Sequence, residues 1–238
     1  MAKTALVTGA TSGIGRAIAI ALARAGYEVL AVGRNRDALD ELRALDPTIR
    51  PIRLDVKDRA AVEEAVRGLH VDVLVNNAGI MPPLGHFADI DVAAIDAAID
   101  LNLTATLFMT RMIVPQMRER GSGHVVFTGS TAGHLVVPNM ALYSATKAAI
   151  SGFAASLRGD LAPHGVRVTE IVPGRTETPL YKGVIDEAAR TKMYADDAAV
   201  QPEDIAAVLV TVLGLPAWAD VTRFDIVPTR PSAPAGAK

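Results

Sequence analysis

The 238-residue sequence contains no cysteine. This absence excludes a disulfide framework, a thiolate metal site and a cysteine nucleophile, and it fits a reducing compartment such as the cytosol. The sequence also lacks an unbroken apolar run of about 18 residues, so no membrane span is predicted. No basic leader precedes the first apolar segment. We therefore expect a cytoplasmic protein without a membrane anchor.

Excess charge of either sign is missing as well. The net charge is −2 and no basic block occurs, so we expect no nucleic-acid partner. No two of the five histidines have a metal-binding helical spacing and no acidic cluster accompanies them, so we predict no metal site. Half of the residues are hydrophobic, which is enough for one sizeable core. In the absence of repeats and linkers, we predict one domain over residues 1–228 and a flexible tail over 229–238.

Short apolar runs alternate with helical patterns along most of the chain. Residues 4–7 have the pattern of a buried strand, 13–25 that of a helix and 28–32 that of a second strand. Further strands are predicted at 49–54, 71–75, 125–128, 166–172 and 221–227. A helical pattern over 91–120 contains Pro115, which predicts a kink or a boundary there. This order predicts an α/β fold with a doubly wound, mostly parallel sheet of about seven strands.

A glycine-rich turn joins the first predicted strand to the first helix. It has the sequence Thr8-Gly9-Ala10-Thr11-Ser12-Gly13-Ile14-Gly15. Glycine permits a tight turn and close backbone approach, and a helix N-terminus offers free N–H groups to a pyrophosphate. The spacing G-x-x-x-G-x-G departs from the general dinucleotide fingerprint. We therefore predict a dinucleotide site from the position of the turn between the first strand and the first helix.

The end of the second strand indicates which dinucleotide is bound. A carboxylate commonly holds the ribose 2′-hydroxyl there, but this chain has Gly33 and Arg34. A guanidinium suits a 2′-phosphate, so we predict NADP(H) rather than NAD(H). The alternatives are that Arg34 stacks on the adenine or is solvated. Asp55, after the third strand, is a candidate for binding the adenine amino group or for capping the next helix.

Tyr143 and Lys147 form the candidate acid/base pair. They are four residues apart on a predicted helix, so both lie on one face. A phenol normally titrates near pH 10, and a neighbouring ammonium stabilises the phenolate and lowers its pKa. Of the four tyrosines only Tyr143 has lysine at this spacing. The pair therefore predicts a general acid/base.

Six motifs together resemble the short-chain dehydrogenase/reductase family, in its single-domain branch. They are Thr8-Gly9-x-x-x-Gly13-x-Gly15, Asn76-Asn77-Ala78-Gly79, Asn102, Ser130, Tyr143-x-x-x-Lys147 and Pro173-Gly174. Each motif alone is weak, but the set occurs in the family's order. The resemblance implies a Rossmann-type single domain that catalyses NADP(H)-dependent oxidation and reduction.

The resemblance also implies roles for individual residues. Tyr143 would exchange a proton with the substrate oxygen, Ser130 would hydrogen-bond that oxygen, and Lys147 would lower the pKa of Tyr143 and hold the nicotinamide ribose. Asn102 would hold a water in a proton relay, with stabilisation of a helix kink as a compatible role. The implied cofactor-binding set is Gly9, Thr11, Ser12, Gly13, Ile14, Gly15, Arg34, Asp55, Val56, Asn77, Ala78, Gly79, Tyr143, Lys147, Pro173, Gly174, Thr176 and Thr178.

The substrate is less well defined by the sequence. Candidate pocket walls are mostly apolar and comprise 80–84, Leu135, Val136, Met140, Leu180 and Tyr181. We expect a neutral ketone or aldehyde of small to medium size, or its alcohol, although Arg175 and Lys182 could approach a carboxylate. His134 is either a substrate contact or a solvated loop residue.

The predicted helix at 143–162 has apolar residues all around its axis, which indicates burial on two sides. We therefore predict a homodimer or homotetramer, as the resemblance also implies. Two alternatives to a carbonyl reductase remain. One is an acyl-thioester ketoreductase of the same family, and the other is a dinucleotide sensor without turnover.

Overall fold

A computed structural model describes residues 2–196 and 198–230. The strands are β1 (Thr4–Thr8), β2 (Glu28–Gly33), β3 (Ile49–Arg53), β4 (Val73–Asn76), β5 (Gly123–Thr128), β6 (Val166–Pro173) and β7 (Arg223–Ile226). The helices are α1 (Gly13–Arg24), α2 (Arg36–Leu45), α3 (Arg59–Val66), α4 (Val92–Ile99), α5 (Ala105–Arg120), α6 (Ala141–Leu161), α7 (Glu187–Tyr194) and α8 (Pro202–Leu213). The predicted tail falls mainly on residues 231–238, which lie outside the described residues.

The strands form a single sheet in the order β3-β2-β1-β4-β5-β6-β7. Every pairing between neighbouring strands is parallel. The strand order reverses between β1 and β4, and the carboxyl ends of both strands meet there. In such sheets ligands bind in the crevice beyond this reversal. The predicted doubly wound α/β fold is confirmed.

Helices cover both faces of the sheet, as the continuous apolar strands require. On one face α1, α2 and α8 bury residues such as Ile18, Leu42 and Leu209 against the strands. On the other face α3, α5 and α6 bury residues such as Val62 and Ile113. The sheet therefore lies between two hydrophobic cores, and its carboxyl edge is held rigidly for the loops that follow it.

The helical region between β4 and β5 differs from the prediction in one respect. Pro115 lies inside α5 without ending it, and the irregularity occurs earlier, at a π-helical turn over Asp100–Thr104. π-Turns occur often at functional sites, and this one contains Asn102.

The same region has an unanticipated property. The run Val92–Arg120 is long and apolar enough to cross a membrane, and 28% of its most apolar window is buried. Its inner side packs into the core through residues such as Met109 and Met117, whereas Val92 and Ile99 are exposed. The run is thus a core-covering helix with a second apolar surface.

Candidate active site

The glycine turn is packed too tightly for other residues at two of its positions. A Cβ at Gly15 would overlap the backbone oxygen of Gly9 and the Asn77 amide nitrogen. Gly9 itself has φ +67 and lies against the backbone of Ala78. The turn is thus pressed against the segment after β4, at the strand-order reversal. The side chain of Ser12 does not cap α1, so it leaves the N–H groups of the first helical turn to a ligand.

Thr8 and Asn77 tie three strand ends together. The Thr8 hydroxyl accepts hydrogen bonds from the N–H groups of Asn77 at 2.9 Å and Ala78 at 3.1 Å. The Asn77 amide donates to the Thr8 carbonyl at 3.1 Å, and its oxygen accepts from the Thr128 hydroxyl at 3.2 Å. These contacts fix the floor of the crevice. Thr8 and Thr128 were not assigned a site role from the sequence, because their partners lie in distant strands.

Arg34 lies at the carboxyl end of β2, on the surface of the crevice. Its side chain is 68% exposed and lies 3.7 Å from the Asp55 carboxylate. Asp55 does not cap α3, since the capping side chain is that of Asp58. A Cβ at Gly33 would overlap Thr11, so glycine lets the end of β2 approach the turn. Arg34 and Thr11 therefore border the same part of the crevice.

Two members of the predicted cofactor-binding set have side chains turned into the cores. Val56 is buried among residues of the α3 side, and Ile14 packs against the α1 side. Only their main-chain groups are available to a cofactor. Gly79 lies close to Asn102, whose Oδ1 would be 3.1 Å from a Cβ at that glycine.

Tyr143 is a buried residue near the start of α6, and Ser130 is close enough to its hydroxyl to affect its pKa. Ser130 follows β5, and its oxygen is held by the N–H of Ala132 at 3.1 Å. Burial raises the pKa of Tyr143, the nearby Tyr181 adds to the rise, and Ser130 opposes it. The phenol therefore stays protonated at neutral pH.

Lys147 lies one helical turn further and is also buried. Its ammonium donates to the Thr128 carbonyl at 2.7 Å and lies 5.7 Å from the centre of the Tyr143 ring. Burial lowers the pKa of Lys147 to about 8, against the attraction of the Glu170 carboxylate. The net shift of the Tyr143 pKa is upward, because burial of the phenol dominates it. The expected lowering of that pKa by Lys147 stays a prediction.

Asn102 connects the π-turn to two other parts of the site. Its amide oxygen accepts from the Ile80 N–H at 2.8 Å, and its nitrogen donates to the Ile80 carbonyl at 3.0 Å and the Thr146 hydroxyl at 3.3 Å. The side chain thus joins the loop after β4 to α6, next to Lys147. Asn102 lies in the irregular turn, but these contacts of its side chain join other elements. Stabilisation of a helix kink and the water relay both stay predictions.

The segment after β6 returns to the glycine turn through Thr178. A Cβ at Gly13 would lie 3.1 Å from the Thr178 side chain. The Thr176 hydroxyl, by contrast, is buried and donates to the Gly174 carbonyl at 3.2 Å. Pro173 ends β6, and Gly174 donates its N–H to the β7 residue Ile226. Of the two candidate threonines, Thr178 is therefore the one that lies beside the glycine turn.

Apolar residues surround Tyr143 on the substrate side. Met81, Met140, Leu180 and Tyr181 pack with it in a small cluster. The predicted pocket residues Leu135 and Val136 are 64% and 98% exposed and lie outside this cluster. Burial raises the pKa of Tyr181, and the Arg175 guanidinium opposes that rise. A cation therefore stands near the otherwise apolar pocket.

His134 lies in the exposed loop after β5, with Nε2 3.2 Å from Glu170 Oε1 and 3.1 Å from Ser151 Oγ. Sequence reasoning missed this contact because Glu170 lies in the middle of a strand that reads as part of the core. Whether His134 contacts the substrate or is a solvated loop residue stays a prediction.

The profile of the short chain dehydrogenase family matches residues 3–189. The chain belongs to this family. It is therefore an oxidoreductase. The recognition made from the six motifs is confirmed.

Individual relatives cover nearly the whole chain. An uncharacterized short-chain type dehydrogenase/reductase of Sinorhizobium fredii is 47% identical, over 95% of this chain and 92% of the relative. An NADP-dependent 3-hydroxy acid dehydrogenase of Escherichia coli is 35% identical, over 95% of each chain. A closed form of serine dehydrogenase complexed with NADP+ is 36% identical, with a TM-score of 0.91 over 97% of each chain.

Proposed function

We propose that the protein transfers hydride between NADP(H) and a small to medium-sized ketone or aldehyde, or the corresponding alcohol. The observation that carries the proposal is a buried Tyr143 with Ser130 near its hydroxyl, one turn from a buried Lys147. All three lie at the carboxyl edge of the sheet, beside the packed glycine turn. The NADP-dependent relatives and the exposed Arg34 support NADP(H) as the cofactor.

The residues present fit a dinucleotide. The glycines let the turn pack closely against the segment after β4, and the start of α1 offers its N–H groups, which Ser12 does not cap, to the pyrophosphate. Arg34 would bind the 2′-phosphate, and Thr178 would lie near the pyrophosphate or the carboxamide. The bound cofactor supplies the hydride.

The chain's own residues would handle the proton. Tyr143 donates it to the substrate oxygen in the reductive direction and takes it back in the oxidative direction. Ser130 hydrogen-bonds the same oxygen, a contact typically worth about 3 kcal/mol when it meets developing negative charge. Lys147 holds the nicotinamide ribose and provides positive charge near Tyr143. Asn102 keeps the loop after β4 and α6 in register.

A second substrate class is a small 3-hydroxy acid and its oxo form. The position of Arg175 near Tyr181 favours it, since a guanidinium at the rim of an apolar pocket would attract a carboxylate. The names of two relatives point the same way, because serine is itself a 3-hydroxy acid.

The test is a panel of neutral ketones, aldehydes, alcohols, 3-hydroxy acids and an acetoacetyl thioester, scored by nicotinamide absorbance with NADP(H) and NAD(H). Turnover of neutral carbonyls or of 3-hydroxy acids identifies the substrate class. Turnover of the thioester alone would make the protein an acyl-thioester ketoreductase. Binding of NADPH without any turnover would make it a sensor.

Tyr143→Phe tests the assigned acid/base directly. We expect kcat to fall by about 10²–10⁴-fold, because the positioned proton donor is lost. NADPH binding, measured by fluorescence, should stay nearly unchanged. Tyr27→Phe is the matched control, since Tyr27 packs against the hydrophobic core on the α1 side of the sheet and has no part in the site. A Tyr143→Phe enzyme that keeps more than about a tenth of the activity would contradict the assignment.

We also infer that the protein is a cytoplasmic homodimer or homotetramer. The outer face of α6 is exposed and small, with Ala145, Ala148, Ala149, Gly152 and Ala155. Such a face lets a second helix approach closely. The Val92–Arg120 run offers a further exposed apolar surface at Val92 and Ile99. A monomeric mass in light scattering at micromolar concentration would overturn the inference.

A further inference from the structure

A buried carboxylate lies behind the catalytic lysine and has no part in the mechanism above. Glu170 is in the middle of β6 and is 5% exposed. Its side chain fills the space over Gly129, where any Cβ would overlap Oε1. Gly129 follows Thr128, whose carbonyl accepts a hydrogen bond from the Lys147 ammonium. The carboxylate and the ammonium therefore contact two consecutive residues at the end of β5, Gly129 and Thr128.

Two side chains orient this carboxylate. The Ser151 hydroxyl donates to Glu170 Oε1, and His134 Nε2 lies 3.2 Å from the same oxygen. Arg223 Nη1 is 3.4 Å from His134 Nδ1. Because the guanidinium can only donate, Nδ1 accepts and the ring proton lies on Nε2, facing Glu170. Ser151 is on α6, one turn after Lys147, and its Oγ lies 3.2 Å from the carbonyl oxygen of Lys147.

The charges around Lys147 leave Glu170 as its counter-ion. On α6 the titratable neighbour is Tyr143, which is neutral when protonated. On β6 it is Glu170, which acts against the effect of burial on the Lys147 pKa. His134 and Arg223 lie beyond Glu170, and Arg223 is also paired with Asp225 at 2.7 Å. A buried ammonium without a carboxylate is costly, so a nearby anion is what keeps it charged.

We propose that Glu170 is a positioning residue that keeps Lys147 protonated and in place, and that Ser151 and His134 orient its carboxylate. The kinetic part of this inference rests on the proposed function. The proposed role of Glu170 depends on the charge of its carboxylate. If Glu170 only filled space, glutamine could replace it without any change in the titration of Lys147.

The first test is the pH profile of kcat/KM for Glu170→Gln, which keeps the volume and removes the charge. Loss of an adjacent opposite charge lowers a lysine pKa by about one unit or more, so the alkaline limb should move to lower pH by about one unit. Glu28→Gln at the amino end of β2, on the opposite edge of the sheet from the site, removes one exposed charge and should leave the limb in place. A limb that does not move in Glu170→Gln would overturn the proposal.

The second test needs no turnover and therefore separates this inference from the proposed function. The unfolding free energies of wild type, Glu170→Gln, Lys147→Met and the double variant are measured in urea. Lys147→Met should stabilise the Glu170→Gln protein more than it stabilises wild type, because the lone ammonium is removed. Equal effects in the two backgrounds would refute the pairing. If Glu170→Gln alone does not fold, the double variant should fold, and its failure to do so would likewise refute it.

Discussion

Replacement of Lys147 by methionine should abolish turnover and yet make the protein more stable. The ammonium is buried, and burial lowers its pKa from 10.5 to about 8. Such a shift means that the folded protein holds the charged form at a cost. Methionine fills similar space without charge and is well tolerated in cores.

The magnitude follows from the shift. At about 1.4 kcal/mol per pH unit, the change from 10.5 to about 8 corresponds to roughly 3 kcal/mol. This value already includes the attraction by Glu170. Against it stands the lost hydrogen bond to the Thr128 carbonyl, which is worth about 1 kcal/mol. We therefore expect Lys147→Met to raise the free energy of unfolding at pH 7 by about 2 kcal/mol.

The pH dependence provides the sharper assay. Below the folded pKa both states are protonated, and the full cost of burial is present. Between about pH 8 and pH 10.5 the unfolded chain holds a proton that the folded lysine has lost, so the stability of wild type rises with pH. The advantage of the variant should therefore shrink across this window in urea titrations. A difference that is constant with pH, or a variant less stable than wild type at pH 7, would refute the reasoning.

Three further substitutions test the crevice. Arg34→Leu should lower kcat/KM for NADPH about 10–100-fold and leave the value for NADH nearly unchanged, because one charge-assisted contact is lost; a wild-type enzyme that prefers NADH would rule this out. Gly15→Ala should prevent NADPH binding in fluorescence titrations, since its Cβ overlaps Gly9, whereas Gly159→Ala on α6, which meets no neighbouring atom, should still bind. Asn102→Ala should cost about 1–3 kcal/mol in urea unfolding, because the backbone groups of Ile80 lose their partners; an unchanged midpoint would contradict it.

Much of the fold could be predicted from local patterns. Apolar runs ended by glycine or proline locate six of the strands within a few residues, because a sheet covered on both faces needs continuous hydrophobic strands. The irregular turn at Asn102 could not be located in this way. Pro115 carries the visible signal for a break, yet α5 tolerates it, while the π-turn depends on bonds from Asn102 to distant residues.

The residues of the candidate site can also be separated into those that sequence spacing brings together and those that only the fold brings together. Tyr143 and Lys147 are one helical turn apart, so their sequence spacing alone places them together. Ser130 joins them only because β5 ends beside α6, and its identification relied on the family motif. The floor contacts of Thr8 and Asn77 depend on which strands are neighbours, and the sequence order of the strands differs from their order in the sheet.

Glu170 shows why spacing is a poor guide to electrostatics. In the sequence it is one acidic residue within an apolar strand, and nothing nearby marks its purpose. The parallel register puts Phe127 opposite Glu170 and Thr128 opposite Ile171, so the carboxylate faces α6 in line with Val168. That same register brings it behind the carbonyl that holds Lys147. The pairing of β5 with β6 therefore sets the position of the carboxylate that offsets the cost of burying the Lys147 ammonium. A one-residue slip in that register would remove the carboxylate from the site.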